Sequence, residues 1–498
     1  MSVRMLRAGR AAAGWFASSM AWRLVLGLFL VEALWLVFSA QYPMAFDENY
    51  HFGLIQLHAR QWLPFFTAQP HDASVFGAVV RDPSYLYHWL MSFPYRLISG
   101  LTDSQTAQII FLRLINVALF GSALLLYRKV LRRIGVSAAL ATVLLAVFIL
   151  VPVVPFLAAH INYDNLFVLV VPLAVLLAFR LMDSLREKRV DAAALLGLLA
   201  TVLLACLIKY PFLPVMGVTG LFVLWQLWRA KLLSTLGLRE FAASFGTLRR
   251  WKQVALVALS LVAVGLFAER YIGNVVTYHN PLPACDAVIS QNECERYGPY
   301  GRDHVYAQEK STTFHANVFS YLWQWVYGMW YRLFFAISYD YTTRPPLLAI
   351  SVVSIAAAVL MVTGIVLRLR PLFAQKPYRQ LVGWLVLGYG AVLFVDGFSA
   401  YKKTGQPVAI NGRYLIPFLP FLFAFGGIAW AQILHRYQYW RAGIAGLVIG
   451  VFLLQGGGTM TFIIRSGDTW MWNNATVRSV NRTVRSAAWP FIIGKGIY

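Results

Sequence analysis

Charged residues are scarce in this chain of 498 residues, and acidic residues are the scarcest of them. Only 13% of the residues are charged and 59% are hydrophobic, whereas a soluble domain is about one quarter charged and about half apolar. This composition excludes a chain built from several soluble domains. It indicates an all-α polytopic membrane protein, because a helix needs about twenty apolar residues to cross a bilayer.

Cysteine is rare, and the common motifs of nucleotide and hydrolase chemistry are absent. Cys206 lies in an apolar run, while Cys285 and Cys294 lie close together in a polar loop. We expect a Cys285–Cys294 disulfide only if that loop is outside the cytoplasm. The sequence has no P-loop, no G-x-S-x-G, no Rossmann fingerprint and no H-E-x-x-H spacing. Nucleotide hydrolysis, serine hydrolase chemistry and a zinc site therefore have no support.

Long apolar runs predict about eleven transmembrane helices. They lie near 22–40, 108–127, 137–157, 165–182, 191–208, 211–228, 253–269, 346–367, 381–396, 414–433 and 442–464. Alternate connections are rich in Lys and Arg, as is the N-terminus at 1–10. The positive-inside rule therefore places the N-terminus in the cytoplasm, and the acidic loops and the tail after Arg465 outside.

The basic excess fits a membrane protein better than a nucleic-acid-binding protein. Lys and Arg number 43 and Asp and Glu number 20, a difference of 23, but the basic residues fall between apolar runs. Such residues face the anionic headgroups of the cytoplasmic leaflet. We therefore predict membrane lipids as partners, and no nucleic acid.

Three predicted outer segments are long enough to carry a site, at 41–107, 270–345 and 397–413. The first contains two amphipathic stretches that we predict to be helices in the membrane interface. The second ends in an aromatic run typical of the headgroup region. We divide the chain into a first transmembrane module, a large outer loop and a C-terminal transmembrane module with an outer tail, at 1–270, 271–345 and 346–498.

Two adjacent acids, Asp47 and Glu48, follow the first predicted span in the stretch YPMAFDENYH at 42–51. Adjacent side chains point in different directions on a helix, so a symmetric dyad is not expected. One acid could be a general base for an acceptor hydroxyl, and the other could orient the acceptor or bind a metal. The alternative is a capped helix start, with Asp47 near the N-cap.

A third acid, Asp164, lies in HINYDN at 160–165, in an outer connection on the same predicted side as Asp47. A helix N-cap is again the alternative. If Asp47, Glu48 and Asp164 converge, their oxygens could bind a divalent cation such as Mg or Mn. No other cofactor is predicted.

Three cations, Arg81, Lys209 and Arg413, stand at predicted outer ends of spans or stretches. Such residues usually extend to the headgroups, and this is the alternative for each one alone. Together, near acids, they suit a phosphate or diphosphate group, to which Arg offers a bidentate fork. Neighbouring side chains complete the candidate substrate-binding set: His51, Tyr85, His88, Asn162, Tyr210 and Tyr414. Glu32, inside the first span, is interpreted either as a proton-relay residue or as a buried structural partner.

The order of four motifs, FDENYHF, DPSYLYHWL, NYDN and NGRYLIPFLP, resembles that in the GT-C superfamily of membrane glycosyltransferases. The likeness is to bacterial relatives of protein O-mannosyltransferases and of the lipid A aminoarabinose transferase. The resemblance implies Asp47 as catalytic base or acceptor-orienting acid, and Glu48 and Asp164 as supporting acids. It also implies that Arg81 contacts a donor phosphate, with Lys209 and Arg413 assisting.

The same resemblance implies a polyprenyl-phosphate sugar donor, a glycan, lipid or protein acceptor, and inversion at the anomeric carbon. It also implies a bacterial inner-membrane location with the active site at the periplasmic face. The alternative function is a polyprenyl-lipid or glycolipid transporter or flippase without catalysis, which would use charges inside spans and interrupted helices.

Overall fold

The described part of the chain is mostly helical, and a long connection at 59–85 separates the helices Glu48–His58 and Leu86–Ser99. The computed structural model describes residues 11–44, 47–334, 347–408, 410–435 and 438–493. The basic stretch 1–10 and the end of the aromatic run, residue 335, lie outside these ranges. The helices, in chain order, are α1 (Ser19–Ser39), α2 (Glu48–His58), α3 (Leu86–Ser99), α4 (Gln105–Arg133), α5 (Ala138–Ile149), α6 (Val153–Ala158), α7 (Tyr163–Arg186), α8 (Ala192–Ile208), α9 (Leu213–Arg229), α10 (Thr235–Gly246), α11 (Arg250–Phe267), α12 (Gly273–Tyr278), α13 (Cys285–Val288), α14 (Gln291–Cys294), α15 (Gly298–Glu309), α16 (Val318–Tyr331), α17 (Leu348–Leu367), α18 (Leu369–Phe373), α19 (Pro377–Thr404), α20 (Leu419–Ile433), α21 (Gln438–Leu454), α22 (Met460–Arg465) and α23 (Ala475–Ala488).

Seven helices in the described part of the chain are long and apolar enough to cross a membrane. They are Ser19–Ser39, Gln105–Arg133, Asp164–Arg186, Tyr210–Arg229, Arg250–Tyr278, Leu348–Leu367 and Pro377–Thr404. Four shorter apolar helices accompany them: Ala138–Ile149, Ala192–Ile208, Leu419–Ile433 and Gly443–Leu454. The prediction of an all-α multi-pass membrane protein is confirmed, and all these helices fall on predicted apolar runs.

Two apolar runs, 137–157 and 442–464, were predicted as single spans, but each forms two helices in the structure. The first is interrupted before α6, where Pro152 lacks the N–H that a continuous helix needs. The second is interrupted at Gly456, Gly457 and Gly458, two of which have positive φ angles. The prediction of continuous helices was wrong here because high hydropathy does not reveal a broken backbone.

The two interruptions meet inside the apolar core, and Glu32 of α1 lies against them. The backbone N–H of Gly458 donates to the Leu150 carbonyl at 2.7 Å, and Glu32 accepts the backbone N–H of Thr459. In an apolar medium every backbone polar group must be satisfied within the protein. The structure thus favours the buried structural partner over the proton relay for Glu32.

Helices α2 and α3 form where the sequence predicted two amphipathic helices in the first long loop. They are joined by a buried hydrogen bond, in which His51 Nδ1 and His88 Nε2 lie 2.9 Å apart. Arg96 of α3 donates from Nε to the Ala59 carbonyl at the end of α2, at 3.0 Å. These two bonds connect α3 to the first turn of α2 and to its end, and so hold α2 in place.

The C-terminal segment folds back onto the end of α1. An antiparallel bridge joins Ala40 and Met471, and the Trp472 N–H donates to the Ser39 carbonyl at 3.0 Å. Asn481 of α23 bonds Trp35 Nε1 at 2.9 Å and Ser39 Oγ at 3.0 Å. The C-terminal segment therefore supports the end of α1, and Asp47 follows this end in the chain. The predicted division at 270 and 345 stays a prediction.

Candidate functional site: two acid–cation groups at one end of the helices

Asp47 stands at the N-cap position of α2, with a left-handed backbone (φ 64°). Its side chain makes no capping hydrogen bond to the helix. Instead, its Oδ2 accepts a hydrogen bond from Arg413 Nη2 at 2.8 Å, and the side chain is 50% exposed. The capped-start alternative is therefore right about the position of Asp47 and wrong about its side chain, which faces the site.

Asp164 lies in the first turn of α7, and the cap of this helix is supplied by Asn162, whose side chain accepts the Asp164 N–H at 2.9 Å. The alternative of Asp164 as N-cap is thus wrong. The buried Asp164 Oδ1 is 2.5 Å from Lys209 Nζ, and its Oδ2 is 3.7 Å from Arg413 Nε. Asp47, Asp164, Lys209 and Arg413 therefore form one group, which we call the acid–cation cluster.

Arg413 connects the two acids because a short 3₁₀ turn, Gly412–Leu415, presents it inward. Asn411 caps this turn by accepting the Arg413 N–H at 3.1 Å. Gly412 is required for the close packing, since a Cβ there would lie 2.4 Å from the Met329 carbonyl oxygen. The chain is thus shaped locally to bring one guanidinium between two carboxylates.

Neither Lys209 nor Arg413 extends to the headgroups, since both are buried. Lys209 Nζ also lies 4.4 Å from the centre of the Tyr414 ring and 4.9 Å from that of Tyr163. Burial favours the neutral form of Arg413, but Tyr414 and the Asp47 and Asp164 carboxylates reverse this effect and raise its pKa. The guanidinium therefore stays charged in the site.

Glu48 points away from the acid–cation cluster and is fully buried. It forms a bidentate pair with Arg113 of α4, with Nε–Oε1 and Nη2–Oε2 distances of 2.8 and 2.7 Å. It also accepts the backbone N–H of Met44 at 2.8 Å. Burial raises the pKa of a carboxyl, but Arg113 outweighs this and holds the pKa of Glu48 below its ordinary value. This carboxylate fixes α2 to α4 and is closed to substrate.

His51 and His88 lie beside the cluster, deeply buried. Burial lowers the pKa of His51 well below its ordinary value, and Arg413 and Lys209 lower it further. Burial also lowers the pKa of His88, with a smaller effect from His51. Both rings are therefore neutral near pH 7 and share one hydrogen bond.

A second group of cations forms at the end of α11. Arg81 Nη1 lies 3.4 Å from Glu269 Oε1, and the fully buried Arg270 lies 3.3 Å from the same carboxylate and 4.8 Å from the centre of the Tyr85 ring. Arg270 Nη1 also donates to the Val80 carbonyl at 2.7 Å. Arg81 thus faces a different acid from Lys209 and Arg413, and we call this set the Arg81–Arg270 group.

The loop at 80–85 lies between the two groups. At the start of the loop, the Val80 carbonyl accepts a hydrogen bond from Arg270. Near its end, Ser84 Oγ accepts the Tyr210 N–H at 3.2 Å. Tyr210 directly follows Lys209 in the chain. Asp82, in the middle of this loop, accepts the Ser84 N–H at 2.9 Å, and burial raises the pKa of its carboxyl. The two cationic groups are therefore neighbours, with an acid between them.

A divalent cation does not fit the three predicted acids. Asp47 faces Arg413, Asp164 faces Lys209, and Glu48 faces Arg113, so each carboxylate is already turned toward a separate cation. Within the described ranges, no three His, Cys, Asp or Glu side chains are grouped so that they could hold a metal ion.

The sequence predicted most of the residues that meet here. The residues in or beside the cluster are Asp47, His51, His88, Asn162, Asp164, Lys209, Arg413 and Tyr414. Tyr210 directly follows Lys209, Tyr85 lies against Arg270, and Arg81 and Glu48 face other partners. Arg113 and Arg270 were missed. Both stand at apolar runs, and an arginine in such a run is itself the signal that a buried acid must be near.

These features define an all-α membrane protein with a buried acid–cation site at one end of its helices. No family model and no curated protein matches the sequence. Two solved structures resemble the fold, both of ArnT from Cupriavidus metallidurans, one in the apo state and one bound to undecaprenyl phosphate. They are 14% and 15% identical in sequence, cover 95% of this chain and 70% of ArnT, and have a TM-score of 0.46.

Proposed function

We propose that this protein is a GT-C-type membrane glycosyltransferase, which moves a sugar from a polyprenyl-phosphate donor to an acceptor hydroxyl. The observation that carries the proposal is the half-exposed carboxylate of Asp47 beside two neighbouring cationic groups. Such a transfer needs a base for the hydroxyl and cations for the phosphate that leaves. The site offers both at one end of the membrane helices.

Asp47 is the best candidate for the base. Its side chain is half-exposed, whereas Asp164 and Glu48 are buried and tied to Lys209 and Arg113. Arg413 orients the Asp47 carboxylate through a hydrogen bond to one oxygen. The proposed role of Asp164 is to hold Lys209 and Arg413 in place, so it supports the site through these cations.

The Arg81–Arg270 group is the best candidate for the donor phosphate. Arg270 is fully buried, and its Nη2 has no hydrogen-bond partner among the described residues, which leaves a donor for a phosphate oxygen. Arg270 lies within the helical span Arg250–Tyr278, and only 11% of the apolar window of this span is buried within the protein. This surface suits contact with lipid, so a lipid phosphate could reach the arginines from the bilayer.

In the proposed step, Asp47 takes the proton of the acceptor hydroxyl, and the oxygen attacks the anomeric carbon. The bond from this carbon to the phosphate oxygen breaks, and the electron pair remains on the phosphate. Attack opposite to the leaving group inverts the anomeric configuration. Arg81 and Arg270 stabilise the negative charge that grows on the phosphate, with assistance from Lys209 and Arg413.

The proposed acceptor is a glycan, a lipid or a protein. The proposed reaction takes place at the periplasmic face of a bacterial inner membrane. No nucleic acid is proposed as a partner. The N-terminus is proposed to be cytoplasmic and the C-terminus periplasmic, in accord with the distribution of Lys and Arg.

A lipid transporter or flippase is the second candidate, and one observation favours it. Two interrupted helices meet at the buried acid Glu32, and interrupted helices are typical of transporters. However, the backbone N–H groups of Gly458 and Thr459 at the interruption are hydrogen-bonded to Leu150 and Glu32. These hydrogen bonds are sufficient to explain Glu32 as a structural residue.

The test is sugar transfer by the purified protein in lipid nanodiscs. Radiolabelled polyprenyl-phosphate sugars are supplied with membrane extract as the acceptor source. Asp47→Asn is the central variant, because asparagine tolerates the left-handed backbone at this position and cannot act as a base. Asp103→Asn, an exposed acid of the same loop, is the matched control.

We expect transfer or donor hydrolysis by wild type and Asp103→Asn, and a loss of about 100-fold or more in Asp47→Asn. Binding of polyprenyl phosphate without turnover in any variant would favour the transporter. Absence of both binding and turnover would refute the proposed function.

A further inference from the structure

A folded cap lies over the site, formed by residues 285–304. The disulfide Cys285–Cys294 joins α13 to the end of α14, with a Cα–Cα distance of 5.8 Å. Inside the cap, Tyr300 donates from its hydroxyl to Asp286 Oδ2 at 2.9 Å. The disulfide gives the loop a fixed shape, while the location of this loop outside the cytoplasm, on which the sequence prediction depended, stays a prediction.

Tyr297 is the residue that the cap presents to the site. It follows the disulfide by three residues, and its N–H donates to the Cys294 carbonyl at 3.0 Å. Its ring centre lies 5.8 Å from that of Tyr50, and the two side chains share a hydrogen bond. Tyr50 belongs to α2, three residues after Asp47, so the cap contacts the helix that carries the proposed base.

The first loop is shaped to receive this ring. Gly77 has a left-handed φ of 80°, and a Cβ there would lie 3.2 Å from Cδ1 of Tyr297. A larger residue at 77 would be strained and would press on the ring. The contact of the cap with the first loop is therefore close at both Tyr50 and Gly77.

The Tyr297 hydroxyl is near the charges of the site. Burial raises the pKa of Tyr297, and the carboxylates of Asp82 and Asp47 raise it further. The hydroxyl is therefore protonated at neutral pH and can donate a hydrogen bond. A phenol that is close to Asp47, and that arrives from a separate segment of the chain, is suited to contact whatever binds at Asp47.

From these contacts we propose that the disulfide-closed cap is the lid of the acceptor side, and that Tyr297 positions the acceptor. The inference rests on the proposed function. The Tyr297 hydroxyl donates a hydrogen bond to the acceptor, and its ring covers the Tyr50 side of the site, while the half-exposed Asp47 carboxylate stays open to the acceptor. The disulfide holds Tyr297 in this place, so that the donor is passed to the acceptor and not to water.

The ratio of donor hydrolysis to sugar transfer tests this role. Tyr297→Phe removes the hydroxyl, Tyr297→Ala removes the ring, and the double variant Cys285→Ala/Cys294→Ala removes the disulfide. Tyr306→Phe, on α15, is the matched control. We expect Tyr297→Phe to raise the KM for the acceptor about three- to tenfold, as for one lost hydrogen bond, with little change in kcat.

Tyr297→Ala and the double cysteine variant should increase hydrolysis relative to transfer by several-fold, because water then reaches the donor. A structural role alone would lower both reactions together. An unchanged ratio in all three variants would overturn the inference.

A second measurement does not depend on activity. A cysteine at Ala78→Cys, next to Gly77, is labelled with a membrane-impermeant maleimide in the presence and absence of the cap disulfide. The native Cys206 is buried and gives little background. We expect faster labelling when Tyr297 or the disulfide is removed. Equal rates would refute the lid, even if wild type showed no turnover and the proposed function had failed.

Discussion

At the residue scale, the two adjacent acids of the first loop have opposite environments. Asp47 is half-exposed and hydrogen-bonded to one guanidinium, while Glu48 is fully buried and bound at both oxygens. Consecutive residues at a helix start face different sides, so one can serve substrate while the other holds the helix to its neighbour. The ion pair of Glu48 with Arg113 thus holds the start of α2, and with it the position of Asp47, the proposed base.

Arg113→Met should destabilise the whole protein. Removal of one partner from a buried ion pair leaves an uncompensated charge, and this typically costs about 3–5 kcal/mol. We expect a clear fall in the thermal unfolding temperature in detergent, followed by tryptophan fluorescence. Arg81→Met, at a partly exposed pair, is the control and should change the unfolding temperature little. An Arg113→Met protein as stable as wild type would show that the pair is not structural.

The buried histidines predict how stability depends on pH. Burial lowers the pKa values of His51 and His88, and lowers that of His58 to about 4. Between about pH 4 and about pH 6.5, His58 binds more protons in the unfolded chain than in the folded one, so the free energy of unfolding falls as the pH drops. The lowered pKa values of His51 and His88 act in the same direction. His58 contributes about 1.4 kcal/mol per pH unit in this window.

Unfolding temperatures measured from pH 7.5 to 5 check this expectation. His58→Gln should show a shallower loss of stability than wild type, because one proton fewer is taken up on unfolding. His71→Gln, whose side chain is 95% exposed, should follow the wild-type curve. The same slope in His58→Gln and wild type would show that His58 does not titrate as proposed.

At the element scale, the interruption between α21 and α22 depends on glycine. Gly458 has a φ of 57°, and a Cβ there would lie 1.7 Å from Oε1 of the buried Glu32. Gly458→Ala therefore adds backbone strain of about 1–2 kcal/mol and forces the carboxylate to move. We expect a marked fall in unfolding temperature, whereas Gly446→Ala, in open space on α21, should be neutral or slightly stabilising.

The double variant Gly458→Ala/Glu32→Ala separates the two causes. It removes the clash with the carboxylate but keeps the backbone strain, and it also leaves the Thr459 N–H without its acceptor. Partial recovery would support the clash as one cause. A Gly458→Ala variant as stable as Gly446→Ala would contradict the close packing of the two interrupted helices.

Apolar runs predicted the positions of the spans, because crossing a membrane imposes a length and a composition that a sequence displays directly. They did not predict the interruptions at Pro152 and Gly456–Gly458, although proline and three glycines in a row were a readable warning. Asp47, Asp164, Lys209 and Arg413 were found as a group because predicted sidedness places them at one end. The sequence did not show which cation pairs with which acid, because the pairing depends on how four segments that are far apart in the chain pack together.

At the scale of the whole molecule, the acid-bearing loops and the cap lie at the same end of the helices. Tyr297 of the cap contacts Tyr50 of α2, so the disulfide Cys285–Cys294 and Asp47 share one side of the membrane. Disulfides persist outside the cytoplasm and are rare inside it. The disulfide therefore supports, independently of the Lys and Arg distribution, the proposal that the site faces the periplasm.

Cysteine labelling in intact cells tests this orientation. Thr312→Cys lies in the exposed segment after α15, and Ser234→Cys lies in the exposed, basic connection before α10. We expect a membrane-impermeant maleimide to label Thr312→Cys in intact cells and Ser234→Cys only after permeabilisation, because the first position shares the side of the cap and the second lies among the basic loops. The reverse result would place Asp47 in the cytoplasm. The donor sugar would then have to be available on that face, and the disulfide would have to survive in a reducing compartment, so the proposed periplasmic reaction would be refuted even if sugar transfer were observed in nanodiscs.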